Sequence, residues 1–218
     1  MMANDRLGDC TCAAAGHLIQ GWTTSDGTGS TYVASDAEII TAYSAVSGYD
    51  PKTGANDNGA VCLDVLNYWR HTGIAGHKIY AYAALEPQNQ SHIEAAVDLF
   101  GGVYIGIALP ISIQDNTQPN SYWSVSPGYP NGDEAPGSWG GHCVPIIGYN
   151  ARTLTFVTWG MVMYMTWNFW RDYCDEAYAV LSQNWAPGGT ITAPSGFNLS
   201  QLNSDLGLVQ GSAAARAA

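Results

Sequence analysis

The hydrophobic period of this chain changes once, near residue 101, and that change limits the fold more than any other feature. Before it, apolar residues recur at helical spacing. Cys10 to Gln20 (CTCAAAGHLIQ) reads as a small-residue helix opening after Gly8-Asp9. Ser35-Asp36-Ala37-Glu38 is a capping-box pattern, which predicts a second helix to about Val46. Val61, Leu63, Val65, Leu66 and Trp69 form a helical stripe ended by Gly73, and Ser91-His92-Ile93-Glu94 predicts a further helix stopping near Gly101-Gly102. Beyond it, VYIGIALPI, HCVPIIGYN, TLTFVTW and EAYAVLS are β-branched or aromatic runs bounded by Gly, Pro, Asn and Asp, the pattern of strands. Helices first and strands afterwards make this an α+β chain. Residues 115–141, rich in Gly, Pro, Ser and Asn, are expected on the surface. From Ala186 the chain turns Gly/Pro/Ser-rich, with one weak helix (LSQLNSDLGL) and an Ala-rich end.

The 218 residues are 46% hydrophobic, enough for one large domain or two lobes sharing a cleft. Seven Lys and Arg against 18 Asp and Glu give a formal charge of −11, which repels a phosphate backbone and excludes nucleic acid as the main partner. The N-terminus, MMANDRLGDC, carries no signal-peptide pattern, so the expected location is the cytoplasm or a virion assembly. No apolar run is long enough to span a bilayer. Five cysteines without framework spacing argue against a disulfide scaffold. Cys10 and Cys12 form the one close pair of potential ligands and no second pair completes it, so neither metal nor cofactor is expected. The stretch Asp50–Gly59 does not fit a calcium loop and reads as a connection.

Two places carry chemistry. A cysteine at a helix start faces unpaired N–H groups and a partial positive charge, which favour the nucleophilic thiolate. Cys10 sits there, after Gly8-Asp9 and before Ala13-Ala14-Ala15. Gly140-Gly141-His142 enters the strand Cys143–Tyr149, where open backbone lets the imidazole project into a cleft. Cys143, the next residue, is expected on the opposite face, in the core. His17, His71, His77 and His92 are assigned to surface or satisfied core positions.

GGHCVPIIGYN is similar to the histidine strand of papain-like cysteine peptidases, and TFVTWG to the next strand, which in that family ends in Asn-Ser-Trp-Gly. DNGAVCLDVLNYWRHTGI resembles the family's Asn-Gly-Gly segment and following helix; IEAAVDLFGGVYIGIALP resembles its passage into the wall of the substrate cleft. The four segments keep the family's order from residue 4 to about 182. A looser likeness links the chain to GDC…GGH proteins of bacterial and phage genomes.

The resemblance implies a two-lobed fold: a helical lobe over about 1–100 and an antiparallel strand lobe over about 101–185, with 186–218 an extension. It implies Cys10 as nucleophile and His142 as base. The family's oxyanion-stabilising Gln lies six residues before the nucleophile; here that position is Asn4, a carboxamide one methylene shorter. Because VTWG is one residue short of the family pattern, the orienting Asn falls on Val157 or Thr158, and Thr158, whose hydroxyl accepts an imidazole N–H, is the choice. Cys12 as nucleophile puts Arg6 at the oxyanion position, which disfavours it. The cleft wall is placed on Gly102 to Ala108, with Gly102, Val103, Trp139 and Gly141 as substrate contacts. Trp139 and Trp159 flank the histidine segment, either shielding it from water or as ordinary core packing.

Two readings follow. One is a cysteine peptidase or amidase acting on a peptide or other amide. The other is a papain-like domain that has lost catalysis and serves as a structural or binding subunit, for example of a phage particle. The short stretch ahead of Asn4 adds the expectation of a minimal N-terminus, or of one covered by a partner chain or self-assembly.

Overall fold

The computed structural model describes residues 1–24, 30–183 and Gly196; apart from that glycine, the expected extension lies outside the described residues. The helices are α1 (Cys10–Thr24), α2 (Asp36–Ser47), α3 (Cys62–His71), α4 (Gln90–Phe100) and α5 (Trp167–Tyr173). The strands are β1 (Ile79–Leu85), β2 (Val103–Leu109), β3 (Tyr122–Trp123), β4 (Gly140–Tyr149), β5 (Thr153–Thr158), β6 (Met161–Thr166) and β7 (Cys174–Ser182). The strands form one sheet in the order β1-β7-β2-β4-β5-β6-β3, antiparallel throughout except for β3 beside β6. The fold is mixed α+β.

Local chemistry sets the helix ends. Ser35 and Glu38 cap α2 reciprocally, as the capping box predicts, and Gly48 closes the helix at φ 77°. The cap of α4 is Asn89, whose side chain accepts from the His92 N–H, not Ser91; the helix starts one residue earlier than Ser91. In α3, Val65, Leu66 and Trp69 are buried, whereas Val61, its N-cap, and Leu63 are exposed. The stripe is therefore narrower than the spacing suggested, and Val61 is left facing outward.

Two apolar clusters share the interior. One joins α1, α2 and α3 around Leu18, Tyr43, Leu66 and Trp69, and reaches the sheet through Tyr104, Cys143 and Val180. The other lies between the sheet and α4 and α5, around Ile105, Phe156, Met163, Phe169 and Trp170. Trp123, from the segment expected on the surface, is fully buried within it. Helix α1 is buried from Thr11 to Ile19, the pattern of a core helix, and it packs on β4. The Tyr104 hydroxyl donates to the Thr11 carbonyl at 2.8 Å, a buried bond that ties the first turn of α1 to β2.

Candidate active site

Ala13 donates its backbone N–H to the Asp9 carbonyl at 2.9 Å, so the ladder of α1 begins at Asp9 and Cys10 is the first helical residue. Cys10 is half-buried; the other four cysteines are buried, and all five are free thiols. His142 lies near the start of β4, paired opposite Ile107 of β2. Cys10 and His142 line the same cleft, about 700 Å³ in volume, together with Asn4, Gly141 and Trp159.

Thr158, the last residue of β5, completes the arrangement. Its Oγ1 is 2.6 Å from His142 Nε2, and both residues are buried. The ring's other nitrogen, Nδ1, makes no hydrogen bond among the described residues. The β5–β6 hairpin explains how a one-residue-shorter turn reaches this position. Thr158 pairs with Met161, leaving only Trp159 and Gly160 between them, at φ 48° and φ 67°. Positive φ at both central residues is what a type I′ two-residue hairpin requires. It turns the Trp159 indole flat over the imidazole, with ring centroids 4.9 Å apart and planes 20° apart. Trp139 packs on Trp159 at 5.9 Å, and with Gly141 it borders a side cavity of about 110 Å³ next to His142.

The opposite wall is the 56–60 loop. Asp57 Oδ1 accepts from the Gly8 N–H at 2.9 Å and from the Tyr43 hydroxyl at 2.7 Å, and the Gly59 N–H donates to the same hydroxyl at 3.0 Å. This clamp fastens the loop to the turn that presents Cys10. Asn4 faces the cleft, with its Nδ2 donating to the Leu7 carbonyl in a long 3.4 Å bond. Gly102 and Val103 are not part of the lining. A Cβ at Gly102 would meet Leu18 at 2.6 Å, and Val103 is fully buried in the sheet core; four residues further along β2, within the expected Gly102–Ala108 wall, Gly106 and Ile107 line the cleft. Cys143 is buried against the helices, as expected for the neighbour of His142 on a strand, although it also contributes to the cleft lining.

Electrostatics depart from the thiolate expectation. Burial pushes the Cys10 thiol from the ordinary 9.0 up to about 12; the Cys143 N–H acts against this, while Cys62 and Asp9 add to it. That is about 4 kcal/mol against the thiolate, more than the 0.3–2 kcal/mol a helix terminus supplies. Burial holds His142 down to about 4. The two groups rest as thiol and neutral imidazole. Asp9 is fully buried with neither carboxylate oxygen hydrogen-bonded, and burial raises it to about 7 despite the nearby Asn4 amide. Sequence reasoning passed over Asp9 and Asp57, because only tertiary packing shows that one is sealed in and the other clamped.

Among the described residues no group of three or more His, Cys, Asp or Glu is arranged to hold a metal ion. No described helix is long and apolar enough to cross a membrane.

Compared by sequence, the chain matches no protein-family model and no curated protein. Solved structures answer the question of fold. Xylellain, a cysteine protease from Xylella fastidiosa, superposes with a TM-score of 0.60 over 80% of each chain at 15% identity. The Carica candamarcensis cysteine protease CMS1MS2, solved in complex with E-64, gives a TM-score of 0.54 over 80% of this chain and 89% of that one at 13% identity. The cysteine protease and lectin-like domains of Cwp84, a surface layer associated protein of Clostridium difficile, give 0.58 over 81% of this chain and 48% of that one at 11% identity. The fold is that of the papain-like cysteine peptidases.

Proposed function

We propose that this protein is a cysteine peptidase or amidase in which Cys10 attacks an amide carbonyl and His142 moves the proton. Residues 1–185 are read as one catalytic-type domain of two lobes, with 186–218 an extension. The observation that carries the reading is the 2.6 Å contact between His142 Nε2 and Thr158 Oγ1, beside a cleft that also holds Cys10 at the first position of α1. With Nε2–H donated to the threonine, Nδ1 is the nitrogen left to take the thiol proton.

The chemistry then runs in two halves. Nδ1 accepts the Cys10 proton as Sγ bonds to the carbonyl carbon, and the oxyanion is met by the Cys10 backbone N–H and by the Asn4 amide turned away from Leu7. The imidazolium gives its proton to the leaving amine, and a thioester remains. Water, deprotonated by His142, attacks the thioester; the acid leaves and the thiol is restored. Because burial favours the neutral pair, proton transfer accompanies attack.

A panel of fluorogenic amides and short peptides tests this reading. Turnover should be lost in Cys10→Ala with an unchanged circular dichroism spectrum and melting temperature; retained turnover in that variant sinks it.

A second reading draws on the raised Cys10 and lowered His142, and on the Asn4 amide bonded to Leu7: a papain-like domain without catalysis, serving as a structural or binding subunit. It predicts no turnover on any amide, together with self-association by analytical ultracentrifugation.

A further inference from the structure

The two ends of the sheet are unlike. β3 closes one end with two residues, whereas β1 leaves the other open over seven, Ile79–Leu85. β1 pairs with β7 alone, and among the described residues no other backbone hydrogen bond reaches its outer side. An open edge offers a row of N–H and C=O groups to any strand that can lie beside it, and folds commonly blunt such edges with charge or proline. β1 has neither; its sequence is IYAYAAL. Tyr80 is 48% exposed, Ala83 and Ala84 are also exposed, and Ile79 is the one buried residue of the strand. The edge carries a single irregularity, an extra residue at Tyr80 between Ile79 and Ala81, and from Ala81 to Leu85 the ladder is regular.

The strand that fits this edge is a second copy of itself. Opposite charges flank it, Lys78 before and Glu86 after, four positions to either side of Tyr82. Antiparallel pairing of two copies about Tyr82 therefore sets Lys78 of each against Glu86 of the other. Between these ends, Ile79 meets Leu85, Tyr80 meets Ala84, and Ala81 meets Ala83. The extra residue at Tyr80 changes the facing of Lys78 by one position, which a lysine side chain spans. Both charged residues are exposed, and neither belongs to an ion pair among the described residues. The Lys78 ammonium donates to the His71 carbonyl at 2.8 Å, and its other protons are left for a carboxylate. An in-register parallel arrangement sets Lys78 beside Lys78 and Glu86 beside Glu86, so the flanking charges also fix the direction.

We propose that two copies of this chain pair antiparallel along β1, joining their sheets into one. No β1 residue lines the cleft that holds Cys10 and His142, so the pairing is separate from the peptidase reading and stands whether or not turnover is found. Sedimentation equilibrium of the full chain, from micromolar to near-millimolar concentration, tests it. Wild type should follow a monomer–dimer equilibrium. Lys78→Glu and Glu86→Lys should each weaken the dimer on the order of tenfold or more, because each sets like charges against one another at both ends of the pair. The double variant Lys78→Glu/Glu86→Lys exchanges the charges and should return to within a few-fold of wild type. An equimolar mixture of the two single variants should recover as well, as a heterodimer. Ala83→Lys places a charge in the middle of the exposed edge and should give monomer throughout, with an unchanged melting temperature. A monomeric wild type over this range overturns the proposal, as do single reversals that leave the dimer as strong as before. Failure of both the double variant and the mixture to recover shows that the charges act within the monomer, and overturns it too. A dimer that survives Ala83→Lys uses another surface and has the same consequence.

Discussion

Replacing Thr158 by Val changes one atom group, exchanging the hydroxyl that meets His142 Nε2 at 2.6 Å for a methyl of similar size. Thr158 is 3% exposed and His142 9%, so water cannot readily replace the lost partner. A buried donor left unsatisfied costs about 1–3 kcal/mol, and the freed ring also samples the tautomer that carries its proton on Nδ1. At about 1.4 kcal/mol per factor of ten, Thr158→Val should lower kcat/KM by about 10- to 100-fold. Thr158→Ser keeps the hydroxyl and should stay within a few-fold of wild type. The assay is steady-state hydrolysis of an amide substrate, paired with the rate of Cys10 alkylation and a thermal melt showing that the fold survives. Wild-type kcat/KM and alkylation in a folded Thr158→Val protein would refute the orienting role.

Asp9→Asn tests the buried carboxyl. Its folded pKa of about 7 stands above the ordinary 3.8, so the folded protein binds the extra proton and stability is lost as pH rises through that window. At pH 8 the variant should be more stable by about 2–4 kcal/mol in urea melts, with the difference fading near pH 4; equal stability at pH 8 contradicts the burial account. Trp159→Ala should admit water to the His142–Thr158 pair. An NMR titration should then show His142 rising from about 4 toward its ordinary 6.5, with kcat/KM down by about tenfold; an unmoved His142 means that the indole is packing alone.

Much of this arrangement is legible in the sequence because it is local. Gly8-Asp9-Cys10 announces a helix start, Ser35 and Glu38 announce a cap, and Gly140-Gly141-His142 followed by Val144 and Ile146 announces a strand that carries a histidine. The shortened VTWG segment still points to Thr158, since a tight hairpin needs only Trp159 and Gly160 to turn. What was not legible depends on partners far away in sequence. β1 mixes exposed and partly buried Tyr and Ala without alternation because it pairs with β7 at one edge of the sheet, nearly a hundred residues on. The run from Met161 to Tyr173 holds a strand and then a short helix, and the Thr166 cap that divides them has no distinct signal among so many aromatics. Of the expected Gly102–Ala108 wall, Gly106 and Ile107 line the cleft and Gly102 and Val103 do not, because only the opposing β7 bulge shows where β2 meets open space. Burial reversed the charge expectation at Cys10: a helix terminus is visible in sequence, and its enclosure is not.

The pairing of Cys10 with His142 is tested most directly by iodoacetamide labelling of all five cysteines, read site by site by mass spectrometry across pH in wild type and His142→Ala. The account predicts that Cys10 labels ahead of the four buried thiols. Near neutral pH, His142→Ala should slow that labelling by about tenfold or more, because the burial-raised thiol loses the base that takes its proton as it attacks. Labelling of Cys10 at the same rate and with the same pH profile in both proteins would show that the imidazole does not serve the thiol, and would contradict the account.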